Sequence, residues 1–188
     1  DHLPLDQRHG GREKLWQVRA HQVVLATGAA ERPLTFANND RPGIMLASAV
    51  STYANRYGVK AGSRAVVFTN NDSAYQTALD MKAAGIDVAA VIDARADSAS
   101  ELANTVRNAG ITVQNGSVVV DTAGRKRLRS IQVMRIDGES VSGSRQTITC
   151  DLLAVSGGWS PVVHLNAQSG ARPEWDDEAA MFRPGKPT

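Results

Sequence analysis

Cysteine is almost absent. Cys150 stands alone among 188 residues, which excludes a disulfide framework, a zinc-ligand spacing and a Cys-x-x-Cys redox pair. A lone thiol fits a reducing compartment, so the protein is expected in the cytoplasm. Aromatic residues make up only 5%, and no run approaches the roughly 20 apolar residues that a membrane helix needs. No basic, apolar, small-residue signal opens the chain. Excess charge is also lacking: 21 Lys and Arg face 19 Asp and Glu, a net of +2, which gives no electrostatic warrant for nucleic-acid binding. The one basic run, Arg125-Lys126-Arg127 with Arg129, has no aromatic residues interleaved and is expected to be a solvated turn entering a strand.

What is present is the composition of a globular α/β protein, with 42% hydrophobic residues, 21% charged and 16 glycines. The length suits one ordinary domain of roughly 100–150 residues plus a remainder too short for a second. The chain opens on Asp1 and not on Met, so the natural polypeptide is expected to extend upstream.

Leu15 to Ala20 alternates apolar and polar residues as a half-buried strand does, and Gln22 to Ala26 follows as a nearly continuous apolar run. With an extended segment around Leu3 to Leu5 and the loop Arg8 to Glu13, these predict an antiparallel meander. Ala47 to Tyr57 has helical spacing, and Gly58 is placed to end it in a left-handed cap. The pattern then alternates. A strand at Ala65 to Thr69 leads to a helix from Ser73 to Ala84, stopped by Gly85, and a strand at Val88 to Ile92. A helix from Ser100 to Ala109, stopped by Gly110, and a strand at Ile111 to Gln114 complete it. Such alternation implies parallel strands with right-handed crossovers. Val118 to Val120, Ser130 to Ile136 and Thr147 to Ala154 follow as strand-like runs separated by turns, an antiparallel flap returning the chain to its first sheet.

Three motifs bear on ligands. Val24-Leu25-Ala26-Thr27-Gly28-Ala29 is an apolar strand running into a small turn, and ligands of open α/β sheets lie at such strand ends. Arg32-Pro33 and Arg41-Pro42-Gly43 after it form a linker. The second motif is Thr69-Asn70-Asn71-Asp72-Ser73-Ala74, where a dinucleotide fold carries Gly-x-Gly-x-x-Gly. Its glycine positions are held by Thr69, Asn71 and Ala74. Asn71 tolerates a left-handed backbone and Ala74 permits close helix packing. Asp72, placed to cap the next helix, puts a carboxylate where a pyrophosphate would sit. Asp93, about 20 residues on, occupies the ribose-gripping position and on its own favours NAD over NADP, though Arg95 lies nearby and Asp97 is placed to cap the following helix. The third motif is Leu152 to Pro161, a buried strand ending in Ser156-Gly157-Gly158-Trp159. Trp159 can stack on a flavin or nucleotide, or close a domain interface. His164 has no carboxylate or cysteine at a fixed spacing, so the sequence assigns no catalytic residue and no metal ligand.

The order of these parts resembles the pyridine-nucleotide-disulfide oxidoreductase superfamily, in which an NAD-type domain interrupts an FAD-type domain. More narrowly, Leu25 to Leu34, Phe36 to Gly43 and Val67 to Tyr75 resemble the alpha subunits of heterotetrameric sarcosine oxidases, with Thr69-Asn70-Asn71-Asp72-Ser73-Ala74-Tyr75 the most discriminating stretch.

The resemblance implies a three-layer Rossmann-like α/β domain with a β-meander, flanked by partial segments of an FAD/NAD-binding domain. The expected partition is 1–46 in the first domain, 47–151 as the NAD-type domain and 152–188 as the return segment. Ala26, Thr27, Gly28, Asn71, Asp93, Gly157 and Gly158 are the candidate cofactor-contacting residues. The family oxidises sarcosine to glycine, which implies NAD in the full subunit, FAD and FMN in the full complex, and folate on a domain absent here. The implied partners are the other subunits and the rest of the same polypeptide, with neither nucleic acid nor membrane. The alternatives are a working NAD(P)H module that feeds a flavin, or a subunit of a related opine or amine oxidase or cyanide-forming glycine oxidase.

Overall fold

The computed structural model describes residues 15–186. The expected segment at Leu3 to Leu5 and the loop Arg8 to Glu13 lie outside the described residues. The expected strands at Leu15 to Ala20 and Gln22 to Ala26 do not form: Leu15 is 94% exposed and Val24 90%. A strand needs a ladder partner for its backbone and a cover for its apolar face, and the described residues supply neither here. Among the described residues, pairing starts at β1 (Ala29–Glu31).

Next come β2 (Ile44–Leu46), α1 (Ala47–Tyr57), β3 (Arg64–Thr69), α2 (Ser73–Ala83), β4 (Asp87–Asp93), α3 (Glu101–Asn108) and β5 (Val113–Gln114). After them lie β6 (Ser117–Ala123), β7 (Ser130–Asp137), β8 (Ser140–Thr149), β9 (Leu152–Ser156) and β10 (Trp159–Pro161). The described part ends with α4 (His164–Gln168), β11 (Glu174–Asp176) and β12 (Met181–Arg183). Helix α1 stops at Gly58, whose left-handed φ of 63° no β-carbon obstructs.

The central sheet is parallel with strand order β2-β9-β3-β4-β5. It draws β2 and β9 from the segments flanking residues 47–151. Its strands are apolar on both faces, as a sheet covered on two sides requires. Ala65, Val67, Val91, Leu152 and Ala154 point into one core with α1, α2 and α3. Their neighbours Val66, Phe68, Ala90, Ile92, Leu153 and Val155 point into a second core, shared with the antiparallel sheet β6-β7-β8. Helices, parallel sheet and meander are the three layers.

Thr147 to Ala154, expected as one strand, is two strands in different sheets. The break is Cys150-Asp151, where one Asp151 carboxylate oxygen accepts the Ser63 and Arg64 amides at 2.9 and 2.8 Å. That bond pair turns the chain out of the meander and into the centre of the parallel sheet. Beyond it, β10 pairs with β1 as a two-stranded antiparallel ribbon.

Candidate nucleotide-type site

The carboxyl ends of β3, β4 and β9 meet at the loop preceding α2, the place where the fold would present a dinucleotide. Here the loop is closed on itself. The Thr69 hydroxyl accepts the Asn71 amide at 3.0 Å and also lies 3.0 Å from the Asn71 carbonyl. The Asn71 side-chain amide donates to the carbonyl and hydroxyl of Ser156 at 3.2 and 3.0 Å. Its oxygen accepts from the Ser73 hydroxyl at 2.6 Å, and Ser73 accepts the Trp159 indole N–H at 2.9 Å. Asn71 thus ties the loop before α2 to the end of β9, and Ser73 ties the start of α2 to β10.

Asn71 tolerates a left-handed backbone but does not adopt one; the described non-glycine residues with positive φ are Asn38 and Ala180. The bonds that Asn71 donates to Thr69 and Ser156 hold the turn without that conformation. Asp72 stands at the N-cap position, but its carboxylate makes no cap bond. It turns instead to the Arg95 guanidinium, 2.7 Å away. The expectation for Ala74 holds, since it is buried in the helix-side core. Asp97 is not the cap of α3 either: it accepts the Ser98 amide at 2.7 Å, while the Ser100 hydroxyl caps the helix through the Ala103 amide.

Asp93 has no exposed surface, and both of its oxygens are engaged. Oδ1 accepts the Arg95 amide at 2.9 Å and Arg95 Nε at 3.1 Å; Oδ2 accepts Arg95 Nη2 and the Tyr75 hydroxyl, each at 2.8 Å. Arg95 therefore stands between two carboxylates, Asp72 and Asp93. Its pKa is raised, first by the hydrogen bonds it donates to Asp93. Burial is the main cause that pushes the Tyr75 phenol up to about 12. Behind Tyr75, the Ser98 hydroxyl lies 2.8 Å from the phenol and accepts from Arg107 and Asn115 at 2.9 and 2.8 Å.

The other candidates stand apart from this loop. The Thr27 hydroxyl donates to the Val162 carbonyl at 2.7 Å, and the Val162 amide donates to Gly28 at 3.0 Å. Ala26 precedes them in exposed coil. Gly157 and Gly158 lie against the Arg32-Pro33 linker: Gly157 N–H donates to the Arg32 carbonyl at 2.6 Å, and Arg32 N–H to the Gly158 carbonyl at 2.8 Å. A β-carbon on Gly157 would stand 2.7 Å from the Pro33 carbonyl oxygen, so this glycine serves the close crossing of two chain segments. Glu31, next to that linker, accepts the Ser48 amide in the first turn of α1 at 2.8 Å, an anion supplied by the chain itself at a helix N-terminus.

The 69–74 loop is where this fold would present a dinucleotide. Three contacts such a ligand requires are a closely approached backbone, a free ribose-gripping carboxylate and an open helix N-terminus. In their place stand Thr69 and Asn71 side chains, a carboxylate saturated by Arg95 and Tyr75, and Trp159 over Ser73. A pocket of about 500 Å³ lies elsewhere, between the β5 edge and the meander beside Gln114, Asn115, Ser117 and Arg135. Tyr75, Ser98, Arg107, Asn115 and Ser156 were not legible as site residues. Only the Asp93-x-Arg95 spacing hinted at the pairing.

A parallel five-stranded sheet with helices on one face and a meander on the other, entered and left through an antiparallel ribbon, is the fold of the FAD- and NAD-linked pyridine nucleotide-disulphide oxidoreductases. Thioredoxin reductase from T. acidophilum superposes with a TM-score of 0.63 at 15% identity, over 86% of this chain and 56% of that one. At that identity the likeness is one of fold. No family model matches the chain. The sequence is homologous to sarcosine oxidase alpha subunits: it is 50% identical over 175 residues to the alpha subunit of Corynebacterium sp. (strain P-1), covering 92% of this chain and 18% of that relative. The chain thus spans under a fifth of the length of the curated relative it matches. It is also 26% identical over 192 residues to hydrogen cyanide synthase subunit HcnB of Pseudomonas protegens, covering 91% of this chain and 41% of that protein.

Proposed function

We propose that the chain is the nucleotide-type module of the alpha subunit of a cytoplasmic, hetero-oligomeric sarcosine oxidase, and that it acts there as scaffold. The whole enzyme oxidatively demethylates sarcosine to glycine. In this reading NAD is held elsewhere in the full subunit, FAD and FMN in the assembled complex, and folate on a domain outside this chain. The partners are the other subunits and the rest of the same polypeptide.

The observation that carries the scaffold reading is the saturated Asp93. A carboxylate that receives four hydrogen bonds from Tyr75 and Arg95 has no oxygen to offer a ribose. The pairing of β1 with β10, and of β2 and β9 with the module's sheet, supports reading the flanking segments as parts of a first domain. Thr27 and Gly28 bond to Val162 just beyond the ribbon, and Gly157 and Gly158 sit at the crossing with Arg32-Pro33. The 50% identity to a sarcosine oxidase alpha subunit supports the activity.

The likeness to hydrogen cyanide synthase subunit HcnB favours one second reading, a cyanide-forming glycine oxidase. Substrate profiling of the assembled complex separates the two: flavin reduction is expected with sarcosine and not with glycine. Reduction by glycine with release of cyanide supports the second reading, and micromolar binding of NAD at the 69–74 loop of this chain refutes the scaffold role.

A further inference from the structure

The turn between β6 and β7 is more organised than a solvated charge run needs to be. Leu128 at its centre is fully buried in the second core, and its amide donates to the Pro42 carbonyl at 2.8 Å. The Arg129 amide donates to Ala123 at 2.8 Å, and the Arg129 carbonyl accepts from Cys150 at 3.1 Å. Arg41 braces the near end through the Gly124 carbonyl and the Thr122 hydroxyl. A β-carbon at Gly124, where φ is +147°, would collide with the Arg127 carbonyl, so the turn is drawn tight on itself. From this fixed backbone Arg125, Lys126, Arg127 and Arg129 project into solvent.

These four side chains alone line a pocket of about 390 Å³. Among the described ion pairs none involves any of them. Arg127 also lines the adjoining pocket of about 370 Å³, together with Lys60 and Asp151, whose carboxylate is engaged by the Ser63 and Arg64 amides. Guanidinium forks bind phosphate oxygens in pairs, and concentrating like charge on a rigid turn favours a multiply charged anion as counter-ligand.

We propose that the β6–β7 turn is a binding site for a compact polyphosphate group, either free or at the end of a nucleotide. A concave pocket suits such a group better than the flat acidic face of a protein. The absence of aromatic residues from the turn and a cluster confined to five positions disfavour a nucleic-acid strand.

The test is calorimetric titration of the full chain at low ionic strength with inorganic tripolyphosphate and, separately, with ADP. Saturable binding of tripolyphosphate is expected. It should weaken at least tenfold in the Arg125→Gln, Lys126→Gln, Arg127→Gln triple variant and stay unchanged in Arg56→Gln, a control cation exposed on α1. These positions are exposed, and an unchanged circular dichroism spectrum checks the fold of each variant. Binding of ADP as tight as that of tripolyphosphate assigns the nucleotide form; weaker ADP binding assigns the free polyphosphate. No saturation at millimolar tripolyphosphate overturns the proposal, as does an equal loss in the Arg56→Gln control. Tighter binding of a polyglutamate peptide or an oligonucleotide than of tripolyphosphate overturns it too.

Discussion

Replacing Asp93 by Asn tests whether the network at the end of β4 serves structure or ligand. The substitution keeps shape and removes a charge that has no exposed surface. It also replaces an acceptor by an amide NH2, which must then face Arg95 Nη2, Arg95 Nε or the Tyr75 hydroxyl, donors that stand at 2.8, 3.1 and 2.8 Å. Breaking a buried ion pair by removing one partner costs about 3–5 kcal/mol. The Arg95 side chain is 34% exposed and retains Asp72, so water and the second carboxylate absorb part of that loss, leaving about 2–4 kcal/mol. Urea unfolding of Asp93→Asn should show this as a lowered midpoint with an unchanged slope. Adding Arg95→Gln should recover part of the loss, with a coupling of about 1 kcal/mol or more in the double-mutant cycle. A single variant destabilised by less than about 0.5 kcal/mol would refute the reasoning, because a carboxylate kept for a ligand is not needed for folding.

Gly157→Ala places a methyl 2.7 Å from the Pro33 carbonyl oxygen and 3.1 Å from that of Arg32; backbone cannot yield cheaply, so a loss of about 1–3 kcal/mol is expected, read as a lowered Tm, and an unchanged Tm contradicts the close crossing. Burial pushes the Cys150 thiol from 9.0 up to about 12. The folded state thus binds this proton more tightly than the unfolded state does, so the contribution to stability is complete below pH about 9 and is lost as pH rises toward about 12. Denaturation midpoints should fall above pH 9, less steeply in Cys150→Ala, and iodoacetamide at pH 8 should label the thiol only after unfolding.

Much of the module was legible because its signals are local. Apolar runs bounded by Gly58, Gly85 and Gly110 located α1 to α3 and the strands between them, and the alternation implied the parallel sheet. The errors share a cause. Leu15 to Ala26 has the composition of strands, but a strand exists only with a partner, and none of the described residues pairs with it. The split at Cys150-Asp151 depends on amides of Ser63 and Arg64, nearly ninety positions away, which no local pattern encodes. In the site, the loss of glycines at Thr69, Asn71 and Ala74 was visible in the sequence. That Asp72 would turn from its helix to Arg95, and that Trp159 would reach Ser73, depends on contacts between distant segments.

The central claim is that the loop before α2 is closed to dinucleotides, and the most direct test is calorimetric titration of the purified chain with NAD and with NADH. The account predicts no saturable binding beyond any that disappears when the Arg125, Lys126 and Arg127 charges are removed. Micromolar binding that survives their removal would contradict it and would make Asp93 a cofactor residue after all.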